Sequence, residues 1–222
     1  NAHAVVNLIQ NLGIDSPMDP VPAIALGVPE FGLDEMVPAY GTYANKGVLS
    51  KPLMITRIED RYGNVISNFS PRQKEALSEK TAYLMLNLLE GVVNQGTAVR
   101  LRTRYNFHAQ IAGKTGTTQN HSDGWFMGIT PKLVTGVWVG GENRSIHFDN
   151  LAIGQGANMA LPIWALYMKE VFEDEEIPIN QEDEFEEPVN FNINLECPDE
   201  DVPANNQEIE GADTLPAEDE FF

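Results

Sequence analysis

Three short runs constrain this chain most: Ile111 to Thr118, Asp123 to Gly128 and Leu133 to Gly140. Each mixes β-branched or aromatic residues with glycine, and only a few residues separate one run from the next. They read as three successive strands joined by tight connections. The first run carries the polar chemistry: Gly113-Lys114-Thr115-Gly116-Thr117-Thr118 places one cation, small backbones and three hydroxyls together.

Two chemistries compete for the Lys-Thr pair. A phosphate-binding loop needs G-x-x-x-x-G-K-[ST] between a strand and a helix. Here the first glycine would fall at His108, and Gly116, Gln119, Asn120, Ser122 and Gly124 make a poor helix start. No helix dipole would then face a phosphate. The alternative is a Lys-Thr-Gly element of serine acyl transfer, which acts with S-x-x-K and S-x-N motifs elsewhere. Lys114 would supply positive charge near the nucleophile and the substrate carboxylate. Thr115, Thr117 and Thr118 would bind substrate, Gly116 would remove bulk from the strand, and the Thr117 N–H would face a developing oxyanion. Strand alternation places Lys114 and Thr115 on opposite faces, so both serve one site only if the strand twists or forms an edge.

The surroundings favour the second chemistry. Asp123-x-Trp125-Phe126-x-Gly128-x-Thr130-Pro131 and Thr135-Gly136-Val137-Trp138-Val139-Gly140 follow the Lys-Thr-Gly run. Upstream stand Ala25-Leu26-Gly27-Val28-Pro29-Glu30, Tyr40-Gly41-Thr42-Tyr43-Ala44-Asn45-Lys46-Gly47, and Leu89-Glu90-Gly91-Val92-Val93 with Gly96-Thr97-Ala98. In this order the blocks resemble the end of the transpeptidase domain of class A penicillin-binding proteins, over roughly residues 1–170. The resemblance implies an α+β fold, an antiparallel β-sheet flanked by helices, incomplete in this chain. It also implies a serine acyltransferase that cross-links peptidoglycan stem peptides ending in D-Ala-D-Ala, with β-lactams as covalent inhibitors. A glycosyltransferase domain and an inner-membrane anchor, with the transpeptidase on the extracytoplasmic side, would belong to the parent protein. The related alternatives are a carboxypeptidase or β-lactamase-like hydrolase using the same element, or a non-catalytic module that binds through its acidic tail.

None of the seven serines (16, 50, 67, 70, 78, 122 and 145) has Lys three places on or Asn two places on. The nucleophile is therefore expected upstream, in a longer protein, and this chain alone is expected to be inactive. No cofactor is implied. His108, His121 and His147 show no metal-ligand spacing, and His121 reads as an exposed loop residue. Asp123 reads as a turn cap or as a group orienting Lys114.

Charge divides the chain. Residues 1–170 hold 14 Lys+Arg and 14 Asp+Glu, and the other 19 acidic residues follow with no base among them. The net −19 therefore lies in the tail, which argues against nucleic acid as a partner. We expect a domain over 1–172 and a disordered acidic tail over 173–222, whose Phe185, Phe191, Phe221 and Phe222 could meet a basic protein. Cys197, the single cysteine, can form no internal disulfide. No apolar run is long enough to span a membrane.

Local patterns place the scaffold. Val5, Leu8, Ile9 and Leu12 predict the end of a helix stopped by Gly13. A helix is expected over 34–45, with Pro38 near its first turn and Tyr40 and Tyr43 facing inward. A hairpin is expected around Gly63-Asn64. Ser78 opens a helix with a stripe of Ala82, Met85, Leu88, Leu89, Val92 and Val93. Thr97 reads equally as a turn residue or a site residue, and Arg100, Arg102 and Arg104 read as solvated. Asp149 to Asn158 reads as glycine-rich loop, followed by a closing helix from Ala160 with Pro162 in its first turn.

Overall fold

The computed structural model describes residues 1–195, in two compact units, Asn1–Val189 and Asn190–Phe222. Among the described residues the first unit holds every α-helix and strand: α1 (Ala2–Asn11), α2 (Leu33–Ala44), β1 (Val48–Ser50), β2 (Arg57–Glu59), β3 (Val65–Asn68), β4 (Gln73–Glu75), α3 (Glu79–Asn94), α4 (Arg100–Thr103), β5 (Ala112–Thr117), β6 (Asp123–Ile129), β7 (Val134–Gly140), α5 (Leu151–Gly154) and α6 (Gly156–Glu173). Of the second unit only residues 190–195 are described, and they form neither helix nor strand. The expectations for Cys197, Phe221 and Phe222 lie outside the described residues.

The three expected strands form one antiparallel sheet in the order β5-β6-β7. A 3₁₀ turn, Gln119–His121, joins β5 to β6, so no helix follows Lys114 and the phosphate-loop reading is excluded. β1 pairs with β4, and the β2–β3 hairpin is an excursion between them. Gly13 has φ +89 just beyond α1, and the Ser78 hydroxyl accepts the Thr81 N–H to start α3, as the cap residues imply.

Helices cover both faces of the sheet. On one face lies α6. Gly124, Gly128 and Gly156 let it approach, because a Cβ at Gly128 would meet the Trp164 indole and one at Gly156 would meet the Gly116 and Trp125 carbonyls. Trp164 is fully buried, packs edge-on against Phe126 at 5.2 Å and donates its Nε1–H to Thr135 Oγ1 at 2.6 Å. Each such large apolar side chain contributes about 1.5–3 kcal/mol by burial. On the other face, Leu86 and Leu89 of α3 join Ala112 and Ile129 in a second cluster, and Leu33 of α2 reaches over Gly136 beside Met127. Tyr40 packs, partly buried, against that second cluster, where burial, and Tyr43 beside it, push its phenol up to about 12. Glu35 ties the proline-rich loop to α2: it accepts from the Asp15 and Ser16 N–H groups at 2.9 Å and from the Ser16 hydroxyl at 2.6 Å.

The structure corrects several expectations. The α3 stripe is rotated: Ala82, Leu86, Leu89 and Val93 are buried, whereas Leu88 is 69% exposed. Pro38 lies in the second turn of α2, and Pro162 lies inside α6, which begins at Gly156. The loop before it contains α5. Arg100 and Arg102 are not solvated. Arg100 donates to the Ala157 carbonyl, and Arg102 donates to Asn94 and to the Phe107 and Ala109 carbonyls. The acidic segment expected to be disordered from 173 belongs to the first unit as far as Val189. Ile177 and Ile179 pack on the α6 cluster and Phe185 on the α3 cluster. Its Phe185 N–H donates to Gln110 Oε1 at 2.7 Å, while Asp183 meets Lys132 and Glu186 meets Lys46. Apolar residues spaced through the acidic run give it the surface to bury that net charge alone conceals.

The close approach of α6 predicts opposite outcomes for two glycines. Gly128→Ala should lower stability by about 1–3 kcal/mol through overpacking on Trp164. Gly91→Ala, in α3 with open space around it, should raise it by about 0.5–1 kcal/mol. Thermal melting of both variants checks the pair.

Two glutamates predict opposite pH signatures against the ordinary value of 4.5. The Ser16 hydroxyl and neighbouring N–H groups hold Glu35 below it. Its stabilisation is present above pH 4.5 and is lost as pH falls through the lower folded value, so Glu35→Gln should lower Tm at neutral pH, with a gap that closes in acid. Burial pushes Glu90 up, against the opposing charge of Arg102. Its contribution is most favourable below pH 4.5 and is lost as pH rises through the higher folded value. Glu90→Gln should therefore raise Tm at neutral pH and be neutral below 4.5.

Candidate functional site

β5 is buried where it begins and open where its polar residues stand. Ala112 and Gly113 are buried, Thr115 and Gly116 half-buried, and Lys114 and Thr117 exposed. Gly113 is glycine because a Cβ would sit 3.0 Å from both the Met127 carbonyl oxygen and the Phe126 ring. The apolar end thus anchors a strand whose other end presents side chains.

The register divides those side chains between two faces. Thr115 stands opposite Phe126 and Thr117 opposite Gly124, and cross-strand partners share a face. This is the α6 face, since Phe126 packs on Trp164. Lys114, opposite Met127, is on the α2–α3 face. The structure therefore does not group the lysine and the two threonines on one side.

The backbone reunites them along an edge. Among the described residues β5 pairs with β6 alone. The Thr118 N–H donates to the Asp123 carbonyl at 3.2 Å, which marks Thr118–Asp123 as a hydrogen-bonded pair. Opposed pairs alternate in an antiparallel ladder, so Thr117 and Thr115 fall in non-hydrogen-bonded pairs. Their N–H and C=O groups point away from β6, to the unpaired side. Consistent with this, the Lys114 ammonium curls back to donate to the Thr115 carbonyl at 2.7 Å. A long cationic side chain and two hydroxyl-bearing residues thus flank one outward-facing backbone.

Each hydroxyl also has a scaffold partner. Thr117 Oγ1 accepts the N–H of Gly156 at 3.0 Å. Gly156 is the first residue of α6, where backbone donors are unsatisfied and the helix dipole is positive. With an acceptor position filled, the Thr117 O–H is left to donate elsewhere. Thr115 Oγ1 lies 2.7 Å from the hydroxyl of Thr97, in the turn after α3. Thr97, which the sequence alone does not assign to turn or site, thus touches the candidate site. The signal that could have placed it was its Gly-Thr-Ala setting: a Cβ at Gly96 would meet the Val92 backbone, so the turn there is tight.

Thr118 is placed differently. Its hydroxyl accepts the Asp123 N–H at 3.1 Å and pairs with Ser122 at 3.0 Å, so it holds the β5–β6 turn. No bond connects Asp123 to Lys114. Asp123 Oδ1 and His121 Nδ1 are buried and lack hydrogen-bond partners among the described residues. His121 is half-buried where exposure was expected. It adopts φ +55, Gly154 lies against its side chain, and its carbonyl accepts the Phe148 N–H at 3.2 Å.

Known proteins resemble this chain in sequence and in fold. The "Penicillin binding protein transpeptidase domain" family matches residues 33–145. Penicillin-binding protein 1A of Aquifex aeolicus is 35% identical over 179 residues, covering 78% of this chain and 24% of that protein. The chain thus spans about a quarter of that relative's length. Among solved structures, penicillin-binding protein 1A from Haemophilus influenzae superposes with a TM-score of 0.70 at 23% identity, over 79% of this chain and 31% of that one. Penicillin-binding protein A from M. tuberculosis, as an imipenem acyl-enzyme complex, gives 0.59 at 22% identity, over 76% and 42%. The two structures establish the fold, and the sequence matches establish the kinship: this chain belongs to the penicillin-binding protein transpeptidase domain family, among its penicillin-binding protein 1A-like members.

Proposed function

We propose that this chain is the carboxylate-binding and oxyanion-stabilising part of a D,D-transpeptidase that cross-links peptidoglycan stem peptides. One observation carries the reading: β5 offers an outward-facing Thr117 N–H, flanked by the Lys114 ammonium and by the Thr115 and Thr117 hydroxyls. A donor peptide ending in D-Ala-D-Ala would lie along this edge as an added strand. Its terminal carboxylate would accept hydrogen bonds from the Thr115 and Thr117 hydroxyls, with Lys114 supplying the countercharge. The penultimate carbonyl would then stand where the Thr117 N–H faces the oxygen that becomes negative.

The nucleophile in this reading is a serine outside the given sequence. It attacks the penultimate carbonyl, the terminal D-Ala leaves as the amine, and an amine of a second stem peptide takes the acyl group from the serine. Lys114 also assists proton movement on the path to the leaving amine. The acyl-enzyme with imipenem in penicillin-binding protein A supports extending covalent β-lactam capture to this chain's parent. A glycosyltransferase domain and an anchor in the cytoplasmic membrane, with this domain on the outer side, complete the proposed parent. Among the described residues no helix is long and apolar enough to cross a membrane, so the anchor would lie elsewhere.

Intact-mass analysis of the full-length protein with benzylpenicillin tests this reading. The wild type should gain one stable adduct, and Lys114→Ala should form it about 10²-fold more slowly, the scale for removing one electrostatic contribution to an oxyanion site. A rapidly hydrolysed adduct would reassign the protein to the β-lactamase-like hydrolases. No adduct on folded protein would discard the acyl-transfer chemistry.

A further inference from the structure

We infer that Thr97 is a positioning residue for the substrate carboxylate, acting through Thr115. The inference rests on the proposed use of β5 as a carboxylate site and adds a residue outside the Lys-Thr-Gly run. The two hydroxyls are 2.7 Å apart, a short distance for an O–H···O bond, and either could donate.

The charge of the ligand selects the direction. If Thr115 donated to Thr97, Thr115 would present only lone pairs outward, and a carboxylate beside it would be repelled. If Thr97 donates to Thr115 Oγ1, the Thr115 proton is free to point at the anion. The Thr115 oxygen then gives and receives at once, which polarises its O–H and strengthens the outward bond. Thr117 has the same arrangement with a backbone donor, since the Gly156 N–H fills its acceptor position at 3.0 Å. Gly156 can only donate, so the sense of that bond is fixed, and Thr97 supplies the side-chain counterpart for Thr115.

The fold holds Thr97 for this purpose. α3 ends in a tight turn in which the Gly96 and Ala98 N–H groups both donate to the Val92 carbonyl at 3.1 Å. Ala98 and Leu101, which follow, are fully buried. Thr97 itself is exposed, so its hydroxyl is held by backbone on both sides while adding little to the core.

The test uses the full-length protein and two acylating agents: benzylpenicillin, which carries the carboxylate, and its methyl ester, which does not. Thr97→Val keeps the shape and removes the hydroxyl, and Thr97→Ser restores it. Each variant's second-order rate of adduct formation is compared with the wild type on the same compound. Thr97→Val should acylate about tenfold more slowly with benzylpenicillin, the scale of one lost hydrogen bond. It should be unchanged with the ester, and Thr97→Ser should match the wild type on both. Equal loss with both compounds would show a structural role and overturn the inference, as would no loss with either. If the wild type forms no adduct at all, the transpeptidase reading fails and takes this inference with it. A wild type that reacts while Thr97→Val behaves identically sinks this inference alone.

Discussion

The contact on which this domain depends is the approach of α6 to the three-stranded sheet. An ordinary helix–sheet interface is spaced by side chains from both partners. Here Gly124 and Gly128 on β6 and Gly156 on α6 leave the backbones so close that a Cβ has no room. Trp164 fills the space released, buried against Phe126. The consequence reaches the site directly, because this close approach brings the first N–H of α6 to the Thr117 hydroxyl. The glycines that allow the core to form therefore also place a helix N-terminus, with its unsatisfied donors and positive dipole, behind the polar end of β5.

β5 joins two environments within six residues. Ala112 and Gly113 are sealed between the clusters of α3 and α6, while Lys114 and Thr117 are exposed. Rigidity comes from one end and chemistry is offered at the other. The division suits the proposed carboxylate site, because an exposed ammonium keeps its hydration until a ligand replaces it, whereas a buried one would need permanent neutralisation. Alternation separates Lys114 from the threonines by face, and the outward N–H and C=O groups at Thr115 and Thr117 give all three a shared edge. A strand edge can thus assemble groups that neither face could gather.

The sequence made the sheet legible because its runs are short, β-branched and punctuated by glycine, and because Ser78 and Gly13 mark helix ends by hydrogen bonding and positive φ. It was less able to orient α3. Leu86 and Leu88 are the same residue type two places apart, and only the position of the sheet decides which is buried. Pro162 was read as a first-turn residue because proline is tolerated there, but the helix begins earlier, at Gly156, where the sheet leaves no room for a side chain. The acidic segment misled through its net charge: Ile177, Ile179 and Phe185 find apolar surface, and Lys46 and Lys132 face its carboxylates. At the candidate site, Lys114, Thr115 and Thr117 stand in one contiguous motif, and the structure puts them along one strand edge. For Thr97 the Gly-Thr-Ala setting marks only a tight turn; its partner is 18 residues away, and nothing local reports a hydroxyl–hydroxyl contact across that distance.

The docked acidic segment bears on how charge is arranged around the site. Residues 1–170 are electrically balanced, so a dense acidic chain free to wander would compete with an anionic peptide for Lys114. Docking commits part of that charge elsewhere: Asp183 to Lys132 and Glu186 to Lys46. An exposed pair such as Glu186 with Lys46 contributes little stability by itself. Their effect is positional, with Ile177, Ile179 and Phe185 supplying the burial that keeps the segment in place. The Phe185 N–H bond to Gln110 sets that segment against the residues leading into β5, at its buried end. These carboxylates are held at that end of β5, away from the cationic and hydroxyl-bearing end proposed as the carboxylate site.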